Sequence, residues 1–195
     1  MRASTLLAYG LLGLASALAI LPFGVAGAPQ LNLVVPHWSR SFQLYKQPHA
    51  AWLTGDKTVG DNLGPLLREL RYAEAQGKVP ELVLYFIPER DLGQSSEGGF
   101  ASFADYAAEN RLLAKAVADF AKRTKIAPVL YLEPDALGHA ISYQRKRHYD
   151  AHAKDVYRLR VQALKAMVAM YKAAGARVYL DIAHSDWIRD GADMR

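Results

Sequence analysis

The sequence predicts an α/β domain built on a parallel sheet, and two patterns along the chain support this. Four short apolar runs, at residues 50–53, 82–87, 129–132 and 178–180, alternate with stretches in which apolar residues recur at helical spacing. The runs are continuous rather than alternating, which is typical of strands buried on both faces of a parallel sheet. Because right-handed crossovers connect such strands, the loops that leave the strands are expected at one edge of the sheet.

Start and stop signals bound the three predicted helices. Gly77 follows the first apolar stripe, Ser102 offers an N-cap for the second, and Gly175 follows the third. The stripes consist of Leu63, Leu66, Leu67 and Leu70, then Leu113, Ala116, Val117 and Phe120, then Val156, Leu159, Ala163, Met167 and Met170. The predicted order is βαβαβαβ. Such a sheet leaves two outer strands with unpaired backbone groups, so we expect the N-terminal part of a larger barrel or a truncated sequence.

The composition is that of a packed globular protein. Hydrophobic residues make up 51% and charged residues 22% of the 195 residues. The net charge of +5 is scattered along the chain without a nucleic-acid-binding motif, so we expect no nucleic-acid partner. The absence of cysteine excludes disulfides, thiol nucleophiles and thiolate metal sites.

The N-terminus differs in kind from the rest of the chain. Arg2 precedes a largely apolar run over residues 6–28 that ends in small residues, and no acidic residue occurs before Asp56. This pattern predicts an export signal peptide over residues 1–28. About 20 apolar residues are enough to span a bilayer, so an uncleaved membrane anchor is the alternative. Either way we expect a linker at residues 29–48 and a folded domain at 49–195 that lies outside the cytoplasm.

Acidic residues follow three of the four predicted strands directly, and carboxylates at the carboxyl ends of parallel strands are typical of a catalytic face. Two carboxylates that approach each other cannot both ionise cheaply, so one is expected to keep a proton and could serve as a general acid. The acidic residues are Glu89 and Asp91, Glu133 and Asp135, and Asp181.

Each of these carboxylates also has a structural interpretation. Pro134 favours an extended Glu133 and a sharp strand end, which leaves Asp135 to face a ligand or to cap a short helix. Arg90 and Asp91 could form a surface ion pair. The residues Asp181 and His184 lack the further histidine or cysteine partners that a metal site requires, so we expect no metal.

The remaining candidates are aromatic residues and glycines near the strand ends. Trp52 and Trp187 could offer flat platforms for a sugar ring or could fill the core. Gly98 and Gly99 indicate the hinges of a mobile loop rather than a phosphate-binding loop. The chain contains no nucleophile elbow and no dinucleotide-binding fingerprint, so we expect no cofactor.

Four segments taken together resemble, in order and spacing, the motifs of glycoside hydrolase family 6, which includes cellobiohydrolase II and related endoglucanases. They are YFIPERD at residues 85–91, SSEGG at 95–99, LEPDAL at 132–137 and YLDIAHSDW at 179–187. The resemblance implies a distorted (β/α) barrel, here truncated to about its first four βα units. It also implies hydrolysis of β-1,4-glucan with inversion of the anomeric configuration.

The resemblance further implies roles for single residues at the cleaved bond. Asp135 would be the general acid, and Asp91 would keep its pKa raised and stabilise positive charge on the sugar. Tyr85 would press the sugar ring towards a distorted conformation, and Ser96 would help to hold the attacking water.

The implied substrate cleft extends to both sides of that bond. Trp52 would stack a sugar on the non-reducing side and Trp187 one on the reducing side, while Asp181 and His184 would line the cleft. The chain departs from the family at Leu92, which stands where a disulfide-forming cysteine is common, and at Asp190, which stands where an aromatic residue is expected.

These observations lead to a hypothesis and an alternative from another class. The first is a secreted or periplasmic, monomeric cellulase-type glycosidase that acts on β-glucan or cello-oligosaccharides. The alternative is a non-catalytic glucan-binding or envelope-anchored remnant that keeps the aromatic platforms. A different barrel hydrolase that shares only the acids at its strand ends is a third possibility.

Overall fold

The structure, a computed structural model, describes residues 33–34, 49–91, 95–145 and 151–183. Four parallel strands form one sheet in the order β1-β2-β3-β4. The strands are β1 (Ala51–Leu53), β2 (Glu81–Leu84), β3 (Val129–Leu132) and β4 (Arg177–Leu180), and the helices are α1 (Leu63–Gln76), α2 (Phe103–Thr124), α3 (Ala136–Arg145) and α4 (Ala151–Ala173). The predicted α/β class and parallel sheet are confirmed.

The helix ends follow the predicted signals. Gly77 caps α1 in the left-handed conformation with φ 61°, and its N–H bonds the carbonyls of the last turn. Ser102 caps α2, since its side chain accepts the N–H of Asp105 at 3.0 Å. Helix α3 is an additional element that begins directly after Asp135. Within the described ranges no helix combines the length and apolar character that crossing a bilayer requires.

The buried face of α4 differs from the predicted stripe. Of the predicted stripe, Met167 is buried, Leu159, Ala163 and Met170 are only partly buried, and the side chain of Val156 lies outside the described residues. The buried residues at helical spacing are Arg160, Leu164, Met167 and Tyr171, so the buried face includes a charged residue that a stripe of apolar residues alone does not contain.

Burial on both faces was predicted for all four strands and is correct for the two central ones. The side chains of β2 and β3 are almost all buried, while Trp52 of β1 and most of β4 are exposed. The outer strands pair on one side only within the described residues, so their faces are less completely covered. The hydrophobic core lies between the sheet and the helices and includes Phe86, Tyr106, Phe120, Leu130 and Tyr171.

Candidate active site

The carboxyl ends of the strands meet at one edge of the sheet, where the described candidate residues lie. Trp52 is in β1, Tyr85 and Asp91 follow β2, Asp135 follows β3 and Asp181 follows β4. In-register parallel pairing aligns these ends. The predicted residues His184 and Trp187 lie outside the described residues.

The side chain of Tyr85 lies near both proposed catalytic carboxylates. Burial raises the pKa of its phenol, and the charges of Asp91 and Asp135 raise it further, against smaller opposing effects of Arg90 and of a hydrogen bond with Ser96. Both aspartates therefore act electrostatically on one hydroxyl. A phenol with the usual pKa of about 10 is already protonated at neutral pH, and the shift acts in the same direction, so Tyr85 can donate a hydrogen bond beside two acceptors.

Trp52 presents its ring at the same edge. Its side chain is 52% exposed, and its ring meets that of Tyr85 edge to face at 5.6 Å between centroids. Trp52 is therefore not a core residue. An exposed indole held by a second aromatic ring offers a flat apolar surface of the kind that sugar rings stack on.

The loop that carries Ser96 is attached to Asp91 and Arg90. The N–H of Ser96 donates to Asp91 Oδ2 at 2.7 Å. Arg90 donates from Nε to the Ser96 carbonyl and from Nη1 to the Tyr85 carbonyl, each at 2.8 Å, and its guanidinium lies 4.9 Å from the centroid of the Tyr85 ring. The position of Asp91 is thus coupled to that of the serine loop.

Asp56, which follows β1, completes this arrangement and was missed by the sequence analysis. It forms an ion pair with Arg90 at 3.4 Å and accepts the N–H of Gly99 at 2.9 Å. Burial alone would raise the pKa of Asp56, but the bond from Gly99 and the charges of Lys57 and Arg90 together lower it. The suggested surface pair of Arg90 with Asp91 is replaced by a pair of Arg90 with Asp56.

Close packing accounts for the glycine at position 99. Gly99 has φ 94°, and a Cβ atom there would lie 1.8 Å from the carbonyl oxygen of Ile87. Only glycine fits both the backbone conformation and the space. The role of this loop as a mobile element stays a prediction.

Left-handed backbone conformations are concentrated at the strand ends. Within the described residues, five of the six non-glycine residues with positive φ follow a strand, namely Glu89, Asp91, Glu133, Asp135 and Ala183. Such conformations are costly for side chains and cluster at functional sites. The expected extended conformation of Glu133 is wrong, since its φ is 48°. Its carboxylate bonds two backbone amides of the neighbouring strand end, which outweighs the preference imposed by Pro134.

The backbone of Asp135 is hydrogen-bonded to Asp181, the residue that follows β4. Its N–H donates to Asp181 Oδ1 at 3.0 Å, and the same oxygen accepts the N–H of Ala183 at 2.7 Å. Asp135, whose φ is 65°, directly precedes α3. It therefore occupies the helix-start position that one of the two interpretations of the sequence gave it. Helix α3 begins directly after Asp135, and the Asp135 carboxylate is close enough to Tyr85 to raise the pKa of its phenol. A place at the helix start is therefore compatible with a catalytic role.

Two buried residues beneath this edge were also missed. Arg160 of α4 is 1% exposed and donates from Nη2 to the carbonyls of Pro88, at 3.1 Å, and Glu89. His139 of α3 is 5% exposed, and its pKa is lowered by burial and by Arg160, with a smaller opposite effect of Asp91. The spacing of Arg160 with Leu164 and Met167 was a signal in the sequence that could have placed it on the buried face. In the described segments no three metal-ligating side chains come together.

Sequence comparison places the chain in a known family. Residues 38–194 match the sequence profile of the family described as glycosyl hydrolases family 6. The chain belongs to this family. It is similar to endoglucanase 1 of Streptomyces sp. (strain KSM-9), at 32% identity over 72% of this chain and 36% of the relative. It is also similar to endoglucanase A of Cellulomonas fimi, at 35% identity over 60% of this chain and 22% of the relative. The family 6 chain thus spans about a third or less of the length of these relatives.

Solved structures of family 6 proteins share the fold. Cellobiohydrolase II (Cel6A) of Humicola insolens, in complex with glucose and cellotetraose, superposes with a TM-score of 0.58 at 20% identity, over 77% of this chain and 42% of that chain. A family 6 enzyme of Orpinomyces sp. Y102 gives a TM-score of 0.58 at 27% identity, over 76% and 42%.

Proposed function

We propose that this chain hydrolyses the β-1,4-glucosidic bonds of cellulose or a related β-glucan with inversion, with Asp135 as the general acid. The observation that carries this proposal is the placement of Asp91 and Asp135 at the ends of the neighbouring parallel strands β2 and β3, where the charges of both raise the pKa of the Tyr85 phenol. A general acid must keep its proton near the operating pH, and a second carboxylate nearby raises its pKa. The family membership and the endoglucanase names of its relatives support the substrate class.

The proposed reaction is a single displacement. Asp135 protonates the glycosidic oxygen as the bond to the anomeric carbon breaks, water attacks that carbon from the opposite face, and the proton that the attacking water loses passes to the surrounding water. In inverting enzymes the general acid and the group that accepts this proton are about 6.5 to 9.5 Å apart, which leaves room for the attacking water. Asp91 stabilises the positive charge that develops on the sugar, and Ser96 helps to hold the water.

The proposed cleft runs across the strand ends. The exposed ring of Trp52 stacks a sugar on the non-reducing side, while the Tyr85 hydroxyl acts on the ring at the cleaved bond. Asp181 lines the cleft and also holds the backbone of Asp135. His184 and Trp187 continue the cleft towards the reducing side.

The proposal extends to the location of the protein and its complete fold. Residues 1–28 direct it out of the cytoplasm as a signal or an anchor, residues 29–48 form a linker, and the folded part is a monomeric portion of a distorted (β/α) barrel. Carbohydrate is the partner, and no cofactor takes part.

The test is product analysis with purified protein. We expect reducing sugar from cellulose or barley β-glucan, and ¹H NMR of fresh products from a soluble cello-oligosaccharide should show the α-anomer forming first. Initial β-anomer would contradict inversion. Binding to insoluble glucan without any product would favour the non-catalytic glucan-binding alternative, for which the exposed Trp52 is the supporting observation.

A further inference from the structure

A buried acid and a buried base lie beneath the edge that carries Asp91 and Asp135. Glu133 and Arg160 are each 1% exposed. Buried ionisable groups are costly and need polar partners. Their partners include backbone groups of one short segment, residues 86–89, which connects β2 to Asp91, and Glu133 also forms a hydrogen bond with the Tyr106 side chain.

Glu133 accepts hydrogen bonds from backbone amides of this segment. Its Oε2 accepts the N–H groups of Phe86 and Ile87 at 3.0 and 2.9 Å, and its own N–H donates to the Leu84 carbonyl at 2.8 Å. These bonds continue the contact between β2 and β3 beyond the point where the regular ladder ends. Since Glu133 is two residues from Asp135, they tie the segment before Asp91 to the segment that carries Asp135.

Arg160 donates hydrogen bonds to backbone carbonyls of the same segment. Its Nη2 donates to the carbonyls of Pro88 and Glu89, the two residues before Arg90 and Asp91. Charge-assisted hydrogen bonds of this kind are stronger than neutral ones and are directional. The amides of the segment are therefore fixed by Glu133, which directly follows β3, and its carbonyls by Arg160 of α4.

The backbone at these positions needs such support. Glu89, Asp91, Glu133 and Asp135 all have φ between 48° and 65°, a conformation that residues with side chains rarely adopt without external contacts. Neither Glu133 nor Arg160 is among the groups proposed to contact the sugar. Their bonds act on the backbone from which Asp91 projects.

We propose that Glu133 and Arg160 are positioning residues that set the separation of Asp91 and Asp135. This inference rests on the proposed function, in which Asp91 and Asp135 act on the same glycosidic bond and must be held in a fixed relative position. A displacement of about 1 Å at a catalytic group can lower the rate about 100-fold. The pair therefore contributes to turnover through geometry rather than through contact with the substrate.

The test compares Glu133→Leu and Arg160→Met, which remove the bonds, with Glu133→Gln and Arg160→Lys, which keep an acceptor or a donor. Glu109→Leu is the matched control for Glu133→Leu: Glu109 is also buried and also accepts two backbone N–H groups, of Gly60 and Asn62, on a loop that carries neither Asp91 nor Asp135. For variants that remain folded, we expect Glu133→Leu and Arg160→Met to lower kcat about 100-fold with KM changed less than about threefold. Glu133→Gln, Arg160→Lys and the control should keep most of the activity. Unchanged kcat in folded Arg160→Met and Glu133→Leu, or an equal loss in folded Glu109→Leu, would overturn the proposal.

A second readout does not depend on turnover. The backbone amide resonances of the ¹⁵N-labelled protein can be compared by NMR in the wild type and in Arg160→Lys and Arg160→Met. We expect Arg160→Met to shift the resonances of Asp91 and of Ser96, whose N–H donates to Asp91, and Arg160→Lys to leave them close to wild type. Unshifted resonances in Arg160→Met would overturn the positioning role, whereas lack of hydrolysis by the wild type alone would overturn only the proposed function.

Discussion

The backbone N–H of Asp135 donates to Asp181 Oδ1 at 3.0 Å, so the end of β4 holds the residue that follows the end of β3. The same oxygen also accepts the N–H of Ala183. One carboxylate thus fixes the turn that presents the proposed general acid.

Removal of this acceptor should lower activity without removing the acid itself. We expect Asp181→Ala to reduce kcat by at least about 10-fold, because Asp135 loses an anchor and a small misplacement is costly. Asp181→Asn keeps an oxygen acceptor and should retain more activity than Asp181→Ala. Steady-state kinetics on a soluble cello-oligosaccharide provide the measurement, and equal kcat in Asp181→Ala and wild type would contradict this role.

The exposed ring of Trp52 should contribute to substrate binding rather than to stability. Loss of a stacking contact worth about 1 kcal/mol should raise KM, or the Kd for cello-oligosaccharide, roughly 5- to 10-fold in Trp52→Ala. The melting temperature should change little because the side chain is 52% exposed. Trp52→Tyr preserves an aromatic face and serves as the control. Unaltered affinity in Trp52→Ala would show that the ring does not contact the glucan.

Two glycine-to-alanine substitutions, one at a crowded position and one at an exposed position, are expected to have different effects on stability. Gly99→Ala places Cβ 1.8 Å from a backbone oxygen at φ 94°, so we expect a loss of about 2 kcal/mol or more in the free energy of unfolding and loss of activity. Gly64→Ala introduces Cβ on the exposed side of α1, where its nearest neighbour is the end of Arg68 at 3.9 Å. This control should be neutral or stabilising by up to about 1 kcal/mol. Urea unfolding measures both, and equal stabilities of the two variants would be inconsistent with the structure.

The buried carboxyl of Glu133 predicts a specific pH dependence of stability. Burial, opposed by the amides of Ile87 and Phe86, raises its pKa from 4.5 to about 7. Between these values the folded protein keeps a proton that the unfolded chain has released, so this group stabilises the fold fully below pH 4.5. That contribution is lost as pH rises through about 7.

Glu133→Gln removes this titration. Wild type should therefore lose on the order of 3 kcal/mol relative to Glu133→Gln between about pH 4.5 and pH 7. The free energy of unfolding, measured with urea at several pH values, checks this difference. Parallel pH profiles for the two proteins would rule out a perturbed Glu133.

The sequence was sufficient to predict the parts of the fold that depend on local signals. The residues Gly77 and Ser102 mark helix ends because their backbone and capping properties act locally. The run at residues 129–132 coincides with β3 because its residues are continuously apolar. Parallel topology also predicts that Asp91 and Asp135, which follow the neighbouring strands β2 and β3, lie at the same edge of the sheet.

The supporting network beneath the site depends on contacts between distant parts of the chain. Arg160 is 71 residues from Glu89, and nothing in its own helix specifies the carbonyls that it binds. The left-handed conformation of Glu133 opposes the local preference imposed by Pro134 and results from amides in another strand end. Asp56 likewise accepts a hydrogen bond from the N–H of Gly99, which is 43 residues away in the sequence. Local propensity does not predict such tertiary contacts.

Substitution of Asp135 by asparagine tests the central claim most directly. Asparagine caps helices as well as aspartate does, so α3 and the fold should be retained while the transferable proton is lost. Reducing-sugar release from barley β-glucan should fall about 100- to 10,000-fold in Asp135→Asn, at unchanged melting temperature. Asp119→Asn, on the exposed face of α2, is the control and should match wild type. Activity of Asp135→Asn equal to wild type would contradict the assignment of the general acid.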